Sequence, residues 1–125
     1  MEKTLTPLNT YQDMKEAIES AGAWFIGSYM IEFVDNYEKF QDKETKRDFL
    51  NYFMSEYDVT TDFNQLRNRV NIAIRIIESG MVEKAMEYVI SRSDSNMKCE
   101  ESKVNARFLL ECLKNGQSKL PVFDE

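Results

Sequence analysis

Apolar residues recur at three- and four-residue steps along most of the chain, and the stretch Thr61 to Gly80 shows the pattern most fully. There Phe63, Leu66, Val70, Ala73, Ile74 and Ile77 share one helical face. Ile72 and Ile76 fall on the far side, because each residue of a helix adds about 100° of rotation. A helix that is apolar on two sides has neighbours on both, so this one is expected to be central. Thr60, Thr61 or Asp62 supplies a side-chain oxygen for the free N–H groups of its first turn, and Gly80 supplies the stop. A strand reading is weaker, since period-two alternation breaks at Ile76-Ile77 and the run is too long.

The same pattern predicts the other elements. Residues 1–9 read as an irregular arm, after which Thr10 and Asp13 mark a helix start and Tyr11, Met14, Ala17, Ile18 and Ala21 form its stripe. A second helix is predicted from Ala23 to Gln41, apolar at Ile26, Tyr29, Met30, Ile31, Phe33, Val34, Tyr37 and Phe40. Its outer side carries Ser28, Glu32, Asp35 and Lys39. The two stripes differ by about 150° if one helix continues the other, so a break is placed near Gly22. Gly27, at the edge of the second stripe, permits the close approach of another helix. Asp42 caps a third helix that buries Phe49, Leu50, Phe53, Met54 and Tyr57.

After the central helix, Ser79-Gly80 is a short link into a helix over Val82 to Arg92, which is expected to run antiparallel to it. Ser93 to Asn96 reads as a loop. A last helix runs from Met97 or Glu100 to Asn115, with Val104, Phe108, Leu109, Cys112 and Leu113 inward and Gly116 as its stop. Residues 117–125 form a non-helical tail, because Pro121 interrupts the apolar run Leu120 to Phe123. The expected architecture is all-α: one domain, a compact bundle of five or six helices with antiparallel helical hairpins.

Composition narrows the chemistry. A chain of 125 residues with 42% hydrophobic and 30% charged residues suits one folded domain with a single core. No apolar run approaches the roughly 20 residues of a membrane span. Met1-Glu2-Lys3-Thr4 opens on charge without the apolar stretch of a signal peptide, so a cytoplasmic setting is expected. Cys99 and Cys112 fall in one predicted helix, on the order of 20 Å apart, beyond disulfide reach. Histidine is absent, which removes the commonest general base and the usual zinc ligand sets. Neither metal nor cofactor is expected. The net charge is −6, and residues 1–60 hold twelve acids against six bases. An acidic surface repels nucleic acid and favours basic partners.

Gly80 to Val89 resembles the entry to the second helix of a tetratricopeptide repeat, with Gly80, Ala85 and Tyr88 at the turn glycine, small alanine and aromatic positions. The first-helix Trp and Leu-Gly signature is missing, so the likeness implies a helical hairpin and not membership. Three sets of residues then compete as a site. Trp24, Phe25 and Tyr52 fall off the stripes of their own helices, and Trp24 with Glu32, Asp35 and Lys39 makes an aromatic anchor inside a charged rim. Arg67, Asn68, Asn71 and Arg75 form a polar stripe on the central helix, a face suited to phosphates and base edges, with Arg69 beside it. The pairs Glu16/Glu19, Glu32/Asp35 and Glu100/Glu101 are carboxylates, but the first two lie on solvated helix faces, without the desolvation that acid–base work requires. The leading expectation is therefore protein binding by an adaptor, regulator or inhibitor of the immunity type, with a partner protein or a second copy of the chain. The alternative is a nucleic-acid-binding helical module. The third is an enzyme with a carboxylate and tyrosine cleft.

Overall fold

The structure, a computed structural model, describes residues 8–57, 62–92 and 97–114. These form six α-helices and one 3-10 helix, with no strand among the described residues: α1 Tyr11–Ala21, α2 Ala23–Asp35, the 3-10 helix Tyr37–Gln41, α3 Lys43–Glu56, α4 Phe63–Glu78, α5 Val82–Ser91 and α6 Met97–Lys114. The all-α architecture is as the periodicity predicts. The links over 58–61 and 93–96 and the tail over 117–125 lie outside the described residues, as do residues 1–7 of the expected arm.

Caps explain most of the boundaries. The Thr10 hydroxyl accepts from the Asp13 N–H at 3.0 Å, and Asp13 reaches back to the Asn9 N–H at 3.3 Å. Asp42 accepts from the N–H and hydroxyl of Thr45 at 3.0 and 2.9 Å, and these bonds hold its carboxyl below the usual range. Asp62 caps α4, accepting from Asn64 and Gln65. Gly22 and Gly80 take φ of 101° and 70°, where a Cβ would clash, so each turns the chain sharply between two helices.

The second predicted helix is two elements. It stops at Asp35, where Asn36 leaves helical geometry and its side-chain amide donates to the Glu32 carbonyl at 2.7 Å. The same carbonyl accepts from the Asn36 N–H at 3.1 Å, so the amide adds a second bond that fixes the chain at the helix end. The chain resumes as the 3-10 helix, which buries Phe40.

The core is continuous from Leu8 to Leu109. In α4, Leu66, Val70, Ala73, Ile74, Ile76 and Ile77 are buried, so both predicted apolar sides are used. Phe25, expected off the stripe, is fully buried, with its ring tilted against Phe33 and edge to face with Phe53. Tyr11, expected inward, is exposed, and meets Tyr88 edge to face. Among the described residues no helix is long and apolar enough to cross a membrane.

The largest departure is in α6. Val104 and Phe108 were expected inward, yet they are 59% and 60% exposed. Leu109 is buried as expected, and the residues buried with it are Ser102, Lys103 and Ala106. The cause lies at Gly27: a Cβ there would overlap the Ser102 hydroxyl and come within 2.7 Å of Val89 Cγ1. Glycine on α2 and serine and alanine on α6 let the two backbones approach closely, and that approach selects the small residues for the interior. Lys103 is buried along its stem, and its ammonium reaches the Arg92 carbonyl at 2.6 Å, beyond the end of α5.

Candidate docking face on the last helix

The aromatic-anchor set does not converge on one surface. Trp24 is half-buried and packs edge to face on Phe25 and Tyr29, with the Arg69 guanidinium 5.9 Å from its ring. Glu32 is half-buried beside Tyr57. Burial and then the Glu32 charge push the Tyr57 hydroxyl above its ordinary range. Asp35 and Lys39 are exposed, but they stand on either side of the Asn36 break, so no continuous helix face joins them. The Lys39 ammonium lies over Phe49 at 5.9 Å.

The α4 stripe is divided between two neighbourhoods. Arg67 lines a pocket with Lys43, Lys46, Arg47, Leu50 and Phe63. Asn71 accepts from the Lys46 ammonium at 2.6 Å. Asn68 is exposed. Arg75, two turns on, lines a separate hollow of about 400 Å³ whose walls include Asp13 and Glu16 of α1. Arg69 turns away from all four and covers Phe25 at 5.5 Å, with its buried Nη1 lacking a hydrogen-bond partner. Contact with the ring faces offsets part of that loss.

The face that sequence reasoning missed is the outer side of α6. This helix packs most extensively on α2 and then on α5, through Ser102, Ala106 and Leu109. At about 100° per residue, Val104 and Phe108 point away from those three positions, and one helical turn separates them. Glu100, Glu101, Arg107 and Glu111 are exposed at flanking positions, so an apolar centre has a rim of three acids and one base. Cys112, a free and half-buried thiol, extends the row beyond Phe108. Ser102 and Ala106 continue the row of the expected Leu109 and Leu113 at helical spacing, so the stripe Ser102, Ala106, Leu109, Leu113 was visible beside that of Val104 and Phe108. Side-chain size favoured the wrong one.

Two of the four large apolar residues exposed among the described positions are thus adjacent on one helix. Tyr11 and Tyr52, the other two, lie on α1 and α3 and carry hydroxyls suited to water. Among the described residues no three His, Cys, Asp or Glu side chains gather into a metal-binding group. Compared with protein families, with curated proteins and with solved structures, the chain matches none.

Proposed function

We propose that the chain acts by protein binding, as an adaptor, regulator or inhibitor, and that it presents the outer face of α6 to its partner. The observation that carries this reading is the exposure of Val104 and Phe108, at 59% and 60%, on successive turns. Fully burying one such side chain is worth about 1.5–3 kcal/mol, so covering the pair supplies several kcal/mol at the centre of an interface. Charged residues around an apolar centre exclude water from it and speed the encounter. With Glu100, Glu101 and Glu111 on the rim and a net charge of −6, the complementary surface is an apolar groove edged by lysine or arginine. We take the setting to be cytoplasmic, in keeping with two thiols held apart on one helix.

The test is recovery of the partner from native lysate by the intact chain and by Val104→Ser, Phe108→Ser and the double variant. The expected outcome is loss of one retained protein by the double variant, with helicity and melting unchanged. Undiminished recovery would refute this face as the site. Sedimentation of the purified chain separates a second copy from a foreign partner, because self-association through α6 would be abolished by the same two changes.

A further inference from the structure

Val104 and Phe108 stand four residues apart, which makes them one ridge along the outer surface of α6. At about 100° per residue they diverge by only about 40°, so the apolar strip is narrow. Its width is that of a coiled-coil seam, less than the face a helix turns to a whole core. Glu101 and Glu111 lie within about 40° of the strip's midline and Glu100 within about 60°. All three acids are exposed. Arg107 and Lys114, the exposed bases among the described side chains of α6, stand about 80° and 100° away, toward the side packed on α2 and α5. The acids therefore border the ridge more closely than the bases do.

A ridge of this kind packs into the groove between two side-chain rows of another helix. An added strand gains nothing here, since backbone groups inside a helix are bonded to each other. Charge decides which helix. A second copy is opposed in both directions. Antiparallel pairing that sets Val104 against the Phe108 of that copy also sets Glu101 against its Glu111, on both sides of the seam. Parallel pairing sets Glu100, Glu101 and Glu111 against their own duplicates. Like charges so placed select against a partner. A membrane surface is opposed as well, because anionic headgroups meet the same three acids. Lysine or arginine at the facing positions turns each repulsion into attraction.

We infer that the partner of the outer face of α6 is a basic amphipathic helix, whose apolar groove receives Val104 and Phe108 and whose lysines or arginines face Glu100, Glu101 and Glu111. This rests on the reading of α6 as the binding face and names the chemistry of what it binds. The ridge supplies the affinity, and the acids supply the choice of partner. The net charge of −6 draws such a helix toward the chain.

The test is isothermal titration of the full chain with a synthetic peptide as long as α6, 18 residues. The probe carries leucine at three- and four-residue steps and lysine on the flanks of that stripe. A second peptide has glutamate for every lysine, and a third has the composition of the first in an order without an apolar face. The lysine helix is expected to saturate one site and to weaken as salt rises, and the other two to give no heat. Phe108→Ser is expected to weaken it about tenfold or more. Glu101→Lys with Glu111→Lys should weaken it about tenfold and should bind the glutamate peptide instead. Both acids are exposed, so melting should hold, and Glu44→Lys with Asp48→Lys, exposed on α3, should bind as the parent does. The inference is overturned if the lysine helix does not saturate at millimolar concentration, or if either other peptide equals it. It is overturned too if the α6 variants bind normally or if the α3 variant loses the peptide with them. A dimer that Phe108→Ser dissociates, or phosphatidylcholine vesicles held through Phe108, would assign the ridge to another occupant. The dimer would refute the basic helix alone and keep α6 as a protein-binding face. Lysate recovery indifferent to Val104→Ser and Phe108→Ser would remove the face itself.

Discussion

Tyr37 ties the 3-10 helix to the end of α4: its hydroxyl donates to Glu78 Oε2 at 2.8 Å. Burial first, then that bond and the Glu78 charge, raise its pKa from 10.0 to about 12. The folded state therefore favours the neutral phenol more than the unfolded chain does. The resulting stability is complete below pH 10 and is lost as pH rises through about 12. Denaturant midpoints of the parent and Tyr37→Phe should differ at pH 9 and converge toward pH 12, and a constant gap would rule out the linkage. Nothing in the sequence announced this pair, because its partners lie on separate elements. Gly27 was half legible. Its place beside an apolar stripe signalled a close helix approach, but only the fold shows that Ser102 and Val89 occupy the space. Residue-scale chemistry of this kind depends on contacts between residues far apart in sequence.

Whole helices were easier to read where large apolar side chains mark the inner face. In α4 the three- and four-residue spacing and the Asp62 cap located both the element and its buried sides. In α2 the pattern ran on too far, because Tyr37 and Phe40 keep helical spacing in a 3-10 helix after Asn36 has broken the backbone. In α6 the signal was right at Leu109 and wrong at Val104 and Phe108, since the rest of the interior there is built of Ser102, Ala106 and the stem of Lys103. The assignment of faces has a direct test. Ala106→Asp places an unpaired carboxylate against α2, at a cost of several kcal/mol out of a total of about 5–15, and should abolish cooperative folding. Phe108→Asp, two residues on, should shift stability by no more than about 0.5 kcal/mol, as exposed positions do. Urea unfolding followed by circular dichroism distinguishes the two, and comparable losses would mean that α6 is rotated from the orientation described.

At the scale of the molecule, the last helix closes the fold. The Ser102 hydroxyl approaches the Ala23 carbonyl at 3.4 Å, Asn105 reaches the Ser28 carbonyl at 3.4 Å, and Lys103 holds the carbonyl beyond α5. The first two join residues 79 and 77 positions apart, and α2 has α6 as its most extensive neighbour. The candidate sites share this dependence. Arg67 was legible as part of a polar stripe, but its company of Lys43, Lys46 and Arg47 exists only once α3 lies along α4. A chain ending at Arg92 would lose the cover over Gly27 and Val89 and would leave the apolar surface between α2 and α5 in water. Helices α1, α3 and α4 would keep their caps and much of their helicity, because those signals are local. The packing that selects one arrangement would be gone, so the fragment should show far-ultraviolet helicity, bind a hydrophobic dye and unfold without a cooperative transition. A fragment that instead melts sharply, at the midpoint of the full chain, would show that α6 is an appendage and that the core of α1 to α5 stands without it.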